Sequence, residues 1–219
     1  ERAPWMADPA FSDVSKGGAH TTHVSIVDSR GGAVALTITI NTWYGSKVTV
    51  DGAGFLLNCD MDDFTTIPGR PNYFGLVQEE ANAIAPGKRM VSMMTPTMVL
   101  IPSPVGEERL ELVVGSPGGS TIPTTVFQVI SNMVDHGMAL TEAVDAPRIH
   151  HQHVPDHIRY EPGALSTPTM KELSSRGHAL VGSEEPWGDV QAVSVSSDGR
   201  MPPLEGMSDW RRGGSALGL

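Results

Sequence analysis

The residue with the clearest chemical potential is Thr21, because of its neighbours. It sits in the run Gly18-Ala19-His20-Thr21-Thr22-His23-Val24-Ser25-Ile26-Val27-Asp28, where a small-residue linker meets an alternating strand pattern. A threonine hydroxyl is a weak nucleophile until a base takes its proton. A cut between His20 and Thr21 would expose an α-amine on the same residue, and that amine is such a base. The pattern therefore suggests a chain that processes itself and then uses its new N-terminal threonine for hydrolysis. The plainer reading is structural: β-branched residues suit pleated surfaces, and Thr-Thr pairs often open strands.

Four further segments carry polar groups at suggestive spacing. Asn58-Cys59-Asp60-Met61-Asp62-Asp63-Phe64 holds three carboxylates in four residues. It reads either as a solvated acidic turn or as a site for a cation. Neither a nearby histidine nor an EF-hand spacing is present, so a substrate amine fits better than zinc or calcium. Gly115-Ser116-Pro117-Gly118-Gly119-Ser120 leads from a strand pattern into a helix pattern. Consecutive glycines there form an ordinary tight turn, or aim backbone N–H groups at an oxyanion. No Lys-Ser/Thr pair follows, so a nucleotide P-loop is not supported. In Lys88-Arg89-Met90-Val91-Ser92-Met93-Met94, Ser92 either binds a carboxylate or caps a turn. Pro147-Arg148-Ile149-His150-His151-Gln152-His153 looks like a metal cluster. On a strand, however, His150 and His151 point to opposite sides and lack an acidic or cysteine partner at ligand spacing, so no metal site is assigned.

The elements that must position these groups follow from composition and periodicity. The 219 residues suit one sizeable domain. With 24 glycines, 17 prolines and 5% aromatics, many short strands and tight turns are expected rather than a helical bundle. A net charge of -10 argues against nucleic acid or an anionic membrane as partner. No stretch approaches the roughly 20 apolar residues of a membrane-spanning helix. The single cysteine, Cys59, excludes an internal disulfide. The chain opens on Glu1 rather than methionine and shows no signal peptide, so a fragment or a processed piece is expected, with any targeting information elsewhere.

Residues 1–20 lack a sustained period and read as a separate segment and linker, with a boundary between His20 and Thr21. Strands are predicted at about 22–28, 33–41, 97–101, 110–114 and 190–196, with a turn signal at Asp198-Gly199. Helices are predicted at about 121–136, ending at Gly137, at 168–176 before Gly177, and around 141–144. The first two strands define a register. Side chains alternate, so Thr21, His23 and Ser25 share one face, and Thr37, Thr39 and Asn41 share another. Polar must meet polar across the pair. A three-residue loop Ser29-Arg30-Gly31, with Gly31 left-handed, achieves this and sets Thr21 opposite Thr39 within hydroxyl reach. A two-residue loop Arg30-Gly31 would set Thr21 beside Ile40 instead.

Taken together, the chain from Thr21 nearly to Leu219 resembles the small subunit of the γ-glutamyltranspeptidase (glutathione hydrolase) family. The resemblance rests on Thr21-Thr22-His23 with Ser25 and Asp28, Asn41, Tyr44-Gly45, Leu56-Leu57-Asn58, Met61-Asp62-Asp63-Phe64, Pro71-Asn72, Ala81-Asn82-Ala83, Lys88-Arg89, the 115–120 glycine turn and Ala146-Pro147-Arg148. Glu1 to Val14 resembles the end of the family's large subunit. The resemblance implies an α+β fold, the four-layer αββα N-terminal-nucleophile sandwich with antiparallel sheets. It also implies autocleavage before Thr21, a γ-glutamyl-Thr21 ester, and release to water or to the amine of an amino acid or dipeptide.

By the same resemblance Thr21 is nucleophile and base, and Thr39 supports its hydroxyl. Asn41, Asp60 and Asp63 hold the substrate ammonium, Ser92 and the Met93 position face its carboxylate, and Gly118 and Gly119 form the oxyanion hole. Phe74 stands at the lid. Implied too are a large subunit from the same precursor, which supplies a carboxylate-gripping arginine, glutathione-like substrates, no cofactor, and a periplasmic or extracellular location. Departures from the family pattern are Asp60 for Gln or Glu, Met93 for the second serine of a Ser-Ser pair, and Phe74 for an aromatic that is often Tyr. Ser208-Asp209-Trp210-Arg211 also lacks the usual proline. Losing a hydroxyl that faces a charged group costs about 1.5–3 kcal/mol. Met93 and Asp60 leave open an acylase of the same superfamily acting on glutaryl-type amides. An unprocessed, inactive homologue is the non-enzyme alternative.

Overall fold

The computed structural model describes residues 21–102, 106–196 and 204–218. His20, the 1–20 segment with its expected boundary, and the Asp198-Gly199 turn signal lie outside the described residues. In chain order the elements are β1 (Thr21–Val27), β2 (Ala33–Thr39), β3 (Thr97–Pro102), β4 (Glu108–Gly115), α1 (Ile122–Val134), α2 (Leu140–Asp145), β5 (Ile149–His150), β6 (Ile158–Tyr160), α3 (Thr167–Ser175), β7 (Leu180–Gly182), β8 (Gln191–Val195) and β9 (Leu204–Ser208).

β1 and β2 pair antiparallel with Thr21 opposite Thr39 and His23 opposite Thr37, the register expected from the sequence. Gly31, at φ 86°, closes the three-residue loop. The Asp28 amide donates to the Gly32 carbonyl at 2.8 Å. The Asp28 carboxylate then accepts the amides of Arg30 and Gly32, both at 2.8 Å, a side-chain turn that locks the loop length. β2 ends at Thr39, two residues before the expected end. Asn41 adopts φ 72°, its amide bonded at 2.9 Å to the Thr39 hydroxyl, so the chain turns away there.

β3, β4, β8 and β9 form an antiparallel sheet in the order β3-β4-β8-β9. One face of β4 and β8 meets the helices. Leu112, Val114, Val190 and Ala192 pack there against Ile122, Val126 and Val129 of α1 and Leu140, Ala143 and Val144 of α2. This contiguous cluster is the core, and its burial is the main stabilising term. The β1–β2 hairpin lies on the opposite face, where the Ser25 hydroxyl donates to the Gln191 carbonyl at 2.9 Å. A small sheet β5-β6-β7 completes the fold, with α3 connecting the parallel pair β6 and β7. Helix, sheet and second sheet are thus stacked in the expected α+β order. α1 occupies residues 122–134 with Gly137 left-handed behind it, close to expectation. The two- and three-residue strands β5, β6 and β7 are too short to show a period, and sequence reasoning missed them.

The hairpin is inverted relative to an ordinary amphipathic sheet. Its polar face, with Thr21, His23, Ser25, Thr37 and Thr39, turns inward. Its apolar face is open, with Val24, Ile26, Val34, Leu36 and Ile38 each 40% to 54% exposed. His23 is buried against Gly115, where any Cβ would fall onto the imidazole ring. Ser25 gives its one hydroxyl proton to Gln191, so it accepts from His23 Nε2 (3.1 Å). Burial lowers the His23 pKa to about 4, so at neutral pH the ring is uncharged and its Nδ1 accepts from the Thr37 hydroxyl (2.7 Å).

Candidate active site

The head of β1, the end of β2, the loop segments at Asp63, 72–78 and 90–94, and the turn into α1 converge on one open cleft. It spans roughly 540 Å³ of space, open solvent included. Thr21, Thr39, Asn41, Asp63, Phe74, Ser92, Met93 and Gly119 all line it. Eight of the residues singled out from the sequence, drawn from segments far apart in the chain, therefore share one wall. The Thr21 and Thr39 hydroxyls are 2.9 Å apart, a direct consequence of the hairpin register.

The acidic run forms a 3-10 turn over Asp60–Asp63. Its three carboxylates are not equivalent. Asp62 is exposed, Asp60 and Asp63 are half-buried, and Asp63 alone of the three lines the cleft. Asn41 is buried and spans the gap, donating to the Asp63 carboxylate at 3.3 Å and to the Cys59 carbonyl at 3.2 Å. Burial, then the neighbouring Asp60 charge, push the Asp63 pKa up to about 6, against the opposing Asn41 hydrogen bond. Burial also raises that of Asp60, one of whose carboxylate oxygens is buried without a hydrogen-bond partner. Among the described residues neither carboxylate has an ion-pair partner, and a bound ammonium would supply one.

Gly118 and Gly119 occupy the turn between β4 and α1 with φ 145° and 58°. A Cβ on Gly118 would lie 2.6 Å from the Thr121 hydroxyl, and one on Gly119 would lie 2.7 Å from the Phe74 ring. Both positions thus require glycine. Gly119 faces the cleft, and Gly118 stands one residue behind, its carbonyl accepting from the Thr121 hydroxyl at 2.9 Å. The N-terminus of α1 follows, so this end of the cleft carries the positive pole of a helix dipole. Beneath the turn, the Ser116 hydroxyl donates to the Pro117 carbonyl at 2.7 Å and accepts from the Asp189 amide at 2.9 Å.

Phe74 is buried against Gly119, and its carbonyl accepts from Gln152 at 3.1 Å. The position expected at a lid is a packed wall of the cleft, with Tyr73 edge-on beside it and exposed. Ser92 is exposed in the cleft and its hydroxyl accepts the Met94 amide at 3.2 Å, closing a local turn. Met90, Met93 and Met94 line the same side. His150 is bonded to Thr124 (2.8 Å) and Gln152 (3.0 Å), and His151 stands exposed. Among the described residues no group of three or more His, Cys, Asp or Glu could hold a metal ion.

Sequence reasoning gave no site role to Asn72, Leu76, Gln78 or Ile122, which also line the cleft. Nor did it find the buried ionic cluster of Arg148, Asp209, Arg211 and Glu161. In that cluster Arg148 contacts Asp209 at 2.5 Å and Arg211 contacts Glu161 at 2.7 Å, pinning the segment after β9 to the loops beside α2 and β6. Charged residues placed at 148, 161, 209 and 211 carry no local signal of their pairing.

A leading strand that opens on a threonine, its hydroxyl supported from the paired strand, inside helix-backed antiparallel sheets, defines the N-terminal-nucleophile hydrolase fold. Comparison with known proteins narrows it. The Gamma-glutamyltranspeptidase family model matches residues 3–219, and the chain belongs to the γ-glutamyltranspeptidase family. It is 47% identical over 180 residues to a glutathione hydrolase proenzyme of Pseudomonas sp. (strain A14), covering 82% of this chain and 30% of that protein. It is 46% identical over 191 residues to the glutathione hydrolase proenzyme of Escherichia coli (strain K12), covering 87% and 31%. A crystal structure of an acivicin-inhibited γ-glutamyltranspeptidase superposes with a TM-score of 0.81 at 46% identity, over 87% of this chain and 98% of that one. The chain thus spans about a third of the length of the curated relatives it matches.

Proposed function

We propose that the enzyme carrying this chain hydrolyses or transfers the γ-glutamyl group of glutathione-like amides. The observation that carries this reading is the Thr21 hydroxyl, 2.9 Å from that of Thr39, in a cleft shared with Gly119 and Asp63. In the precursor, the Thr21 hydroxyl attacks the His20 carbonyl, and the amide nitrogen leaves as the Thr21 α-amine. Water then opens the resulting ester and frees the threonine hydroxyl. The α-amine, with an ordinary pKa of about 7.7–8.0, takes the hydroxyl proton as Thr21 attacks the γ-glutamyl amide. The 118–119 turn faces the developing oxyanion, and the protonated amine returns its proton to the leaving amine. The γ-glutamyl-Thr21 ester passes to water or to an acceptor amine.

In this reading Asn41, Asp63 and, through its field, Asp60 hold the donor ammonium, while Ser92 contacts its carboxylate beside the thioether of Met93. A large subunit from the same precursor covers the apolar outer face of the hairpin. The support is that five large apolar side chains stand open on one face there, a patch characteristic of an interaction surface. The relatives named above are glutathione hydrolases, which favours this reading over the acylase. The test is to express the full precursor and follow two readouts. Mass spectrometry should find a new N-terminus at Thr21, and a γ-glutamyl anilide should be turned over by the parent and not by Thr21→Ala. Turnover of glutaryl but not γ-glutamyl anilides would replace this reading with the acylase. An intact His20–Thr21 bond together with no turnover would replace it with the inactive homologue.

A further inference from the structure

A γ-glutamyl donor carries its ammonium and its carboxylate on one carbon, so a site that reads both must hold two protein segments at a set separation. In the reading above, those segments are the acidic turn ending at Asp63 and the stretch containing Ser92. Each is a loop, and each lies outside the sheets. Loops hold such a separation only when something buried ties them together.

Asn82 makes that tie. It lies in the 3-10 turn Glu80–Asn82 and is 4% exposed. Its Nδ2 donates to the backbone carbonyl of Asp63 at 2.8 Å and to the side-chain oxygen of Gln78, while its Oδ1 accepts the Val91 amide at 2.9 Å. Both amide hydrogens and the oxygen are therefore in use. Its backbone carbonyl accepts the Thr65 amide at 2.9 Å, which fixes the turn against the segment that follows Asp63. One buried side chain thus grips the residue whose carboxylate faces the cleft, the amide of Val91 next to Ser92, and Gln78, a further lining residue. Asn82 does not itself line the cleft, so its effect passes through the groups it holds.

We propose that Asn82 is the positioning residue that sets the span between the ammonium and carboxylate subsites, and thereby the selectivity for α-amino-acid donors that carry both charges. This rests on the γ-glutamyl reading of the cleft. The test uses the full, processed enzyme and three anilides: γ-glutamyl, glutaryl (no ammonium) and 4-aminobutyryl (no carboxylate). Each ratio of kcat/KM is taken within one enzyme sample, so it is insensitive to how much of a variant survives folding. In Asn82→Ala the preference for γ-glutamyl over both analogues should fall about tenfold, mainly through KM, as each lost buried hydrogen bond loosens one subsite.

Asn82→Asp keeps the shape and the acceptor for Val91 but removes the donors to Asp63 and Gln78. Charge alone would raise its preference for the ammonium-bearing donor over the glutaryl analogue, whereas lost positioning lowers it. A fall in that preference therefore supports the inference. Equal losses on all three substrates, with parental selectivity in both variants, would overturn it and leave the γ-glutamyl reading intact. A parent enzyme without preference for the γ-glutamyl anilide would overturn that reading and this inference with it.

Discussion

Asp63 offers a quantitative test of the ammonium subsite through pH. Its pKa is raised from 3.8 to about 6, first by burial and second by the charge of Asp60. The folded chain therefore holds the Asp63 proton to higher pH than the unfolded chain. Ionised Asp63 costs stability, which falls as pH rises from 3.8 to about 6. A substrate ammonium offsets that cost only when the carboxylate is ionised. At about pH 5 roughly a tenth of the sites are ionised, against about nine-tenths at pH 7, so KM for a γ-glutamyl anilide should be about tenfold higher at pH 5 than at pH 7. Asp63→Asn should show a high KM, raised about ten- to a hundredfold, with little pH dependence over that interval. Asp60→Asn should move the inflection to lower pH by removing the second cause of the shift. The assay is initial-rate kinetics from pH 5 to 7.5, with the glutaryl anilide as control because it has no ammonium. In the proposed processed enzyme a free Thr21 amine would act on kcat rather than on donor binding, and an ordinary α-amine, with a pKa of about 7.7–8.0, lies above this interval. A KM that is flat across the interval, or a control that rises in parallel, would refute the reasoning.

Two other outcomes are expected. Thr39→Val removes the hydroxyl 2.9 Å from Thr21 and leaves the Asn41 amide without its acceptor. Its kcat should drop about tenfold or more, with Thr39→Ser largely restoring it, and equal rates in parent and valine variant would rule out the supporting role. Neutral His23 has its pKa lowered from 6.5 to about 4 by burial, so the folded state binds fewer protons than the unfolded state between those values. Its contribution is complete above pH 6.5 and is lost as pH falls toward 4, by up to about 3 kcal/mol. Denaturant titrations across that window should therefore show a steeper loss in the parent than in His23→Asn, and matching slopes would reject this linkage.

Much of the site was legible because local rules govern it. Strand alternation and the length of the Ser29-Arg30-Gly31 loop determine that the Thr21 hydroxyl meets that of Thr39, since a one-residue slip would send the side chains to opposite faces. The glycine pair after a strand marks a turn in which a Cβ would collide with Thr121 or Phe74. The acidic run reads from sequence either as a solvated turn or as a site for a cation. Which of its carboxylates faces the cleft is not local, because Asp60, Asp62 and Asp63 differ only in what packs around them.

By itself, then, the sequence determined the strand pairing, the nucleophile candidate and the family, since each depends on residues close in the chain or on motifs in order. The tertiary structure decided the rest. It buried His23 as a neutral ring between two sheets, turned the apolar face of the hairpin outward, and paired Arg148 with Asp209 across 61 residues. It also let Asn82 reach 19 residues back to Asp63 and 9 forward to Val91. Periodicity reports which face a residue occupies within its own element. Which distant group meets it there depends on how the elements pack, because buried polar atoms take whatever partner the packing brings within reach.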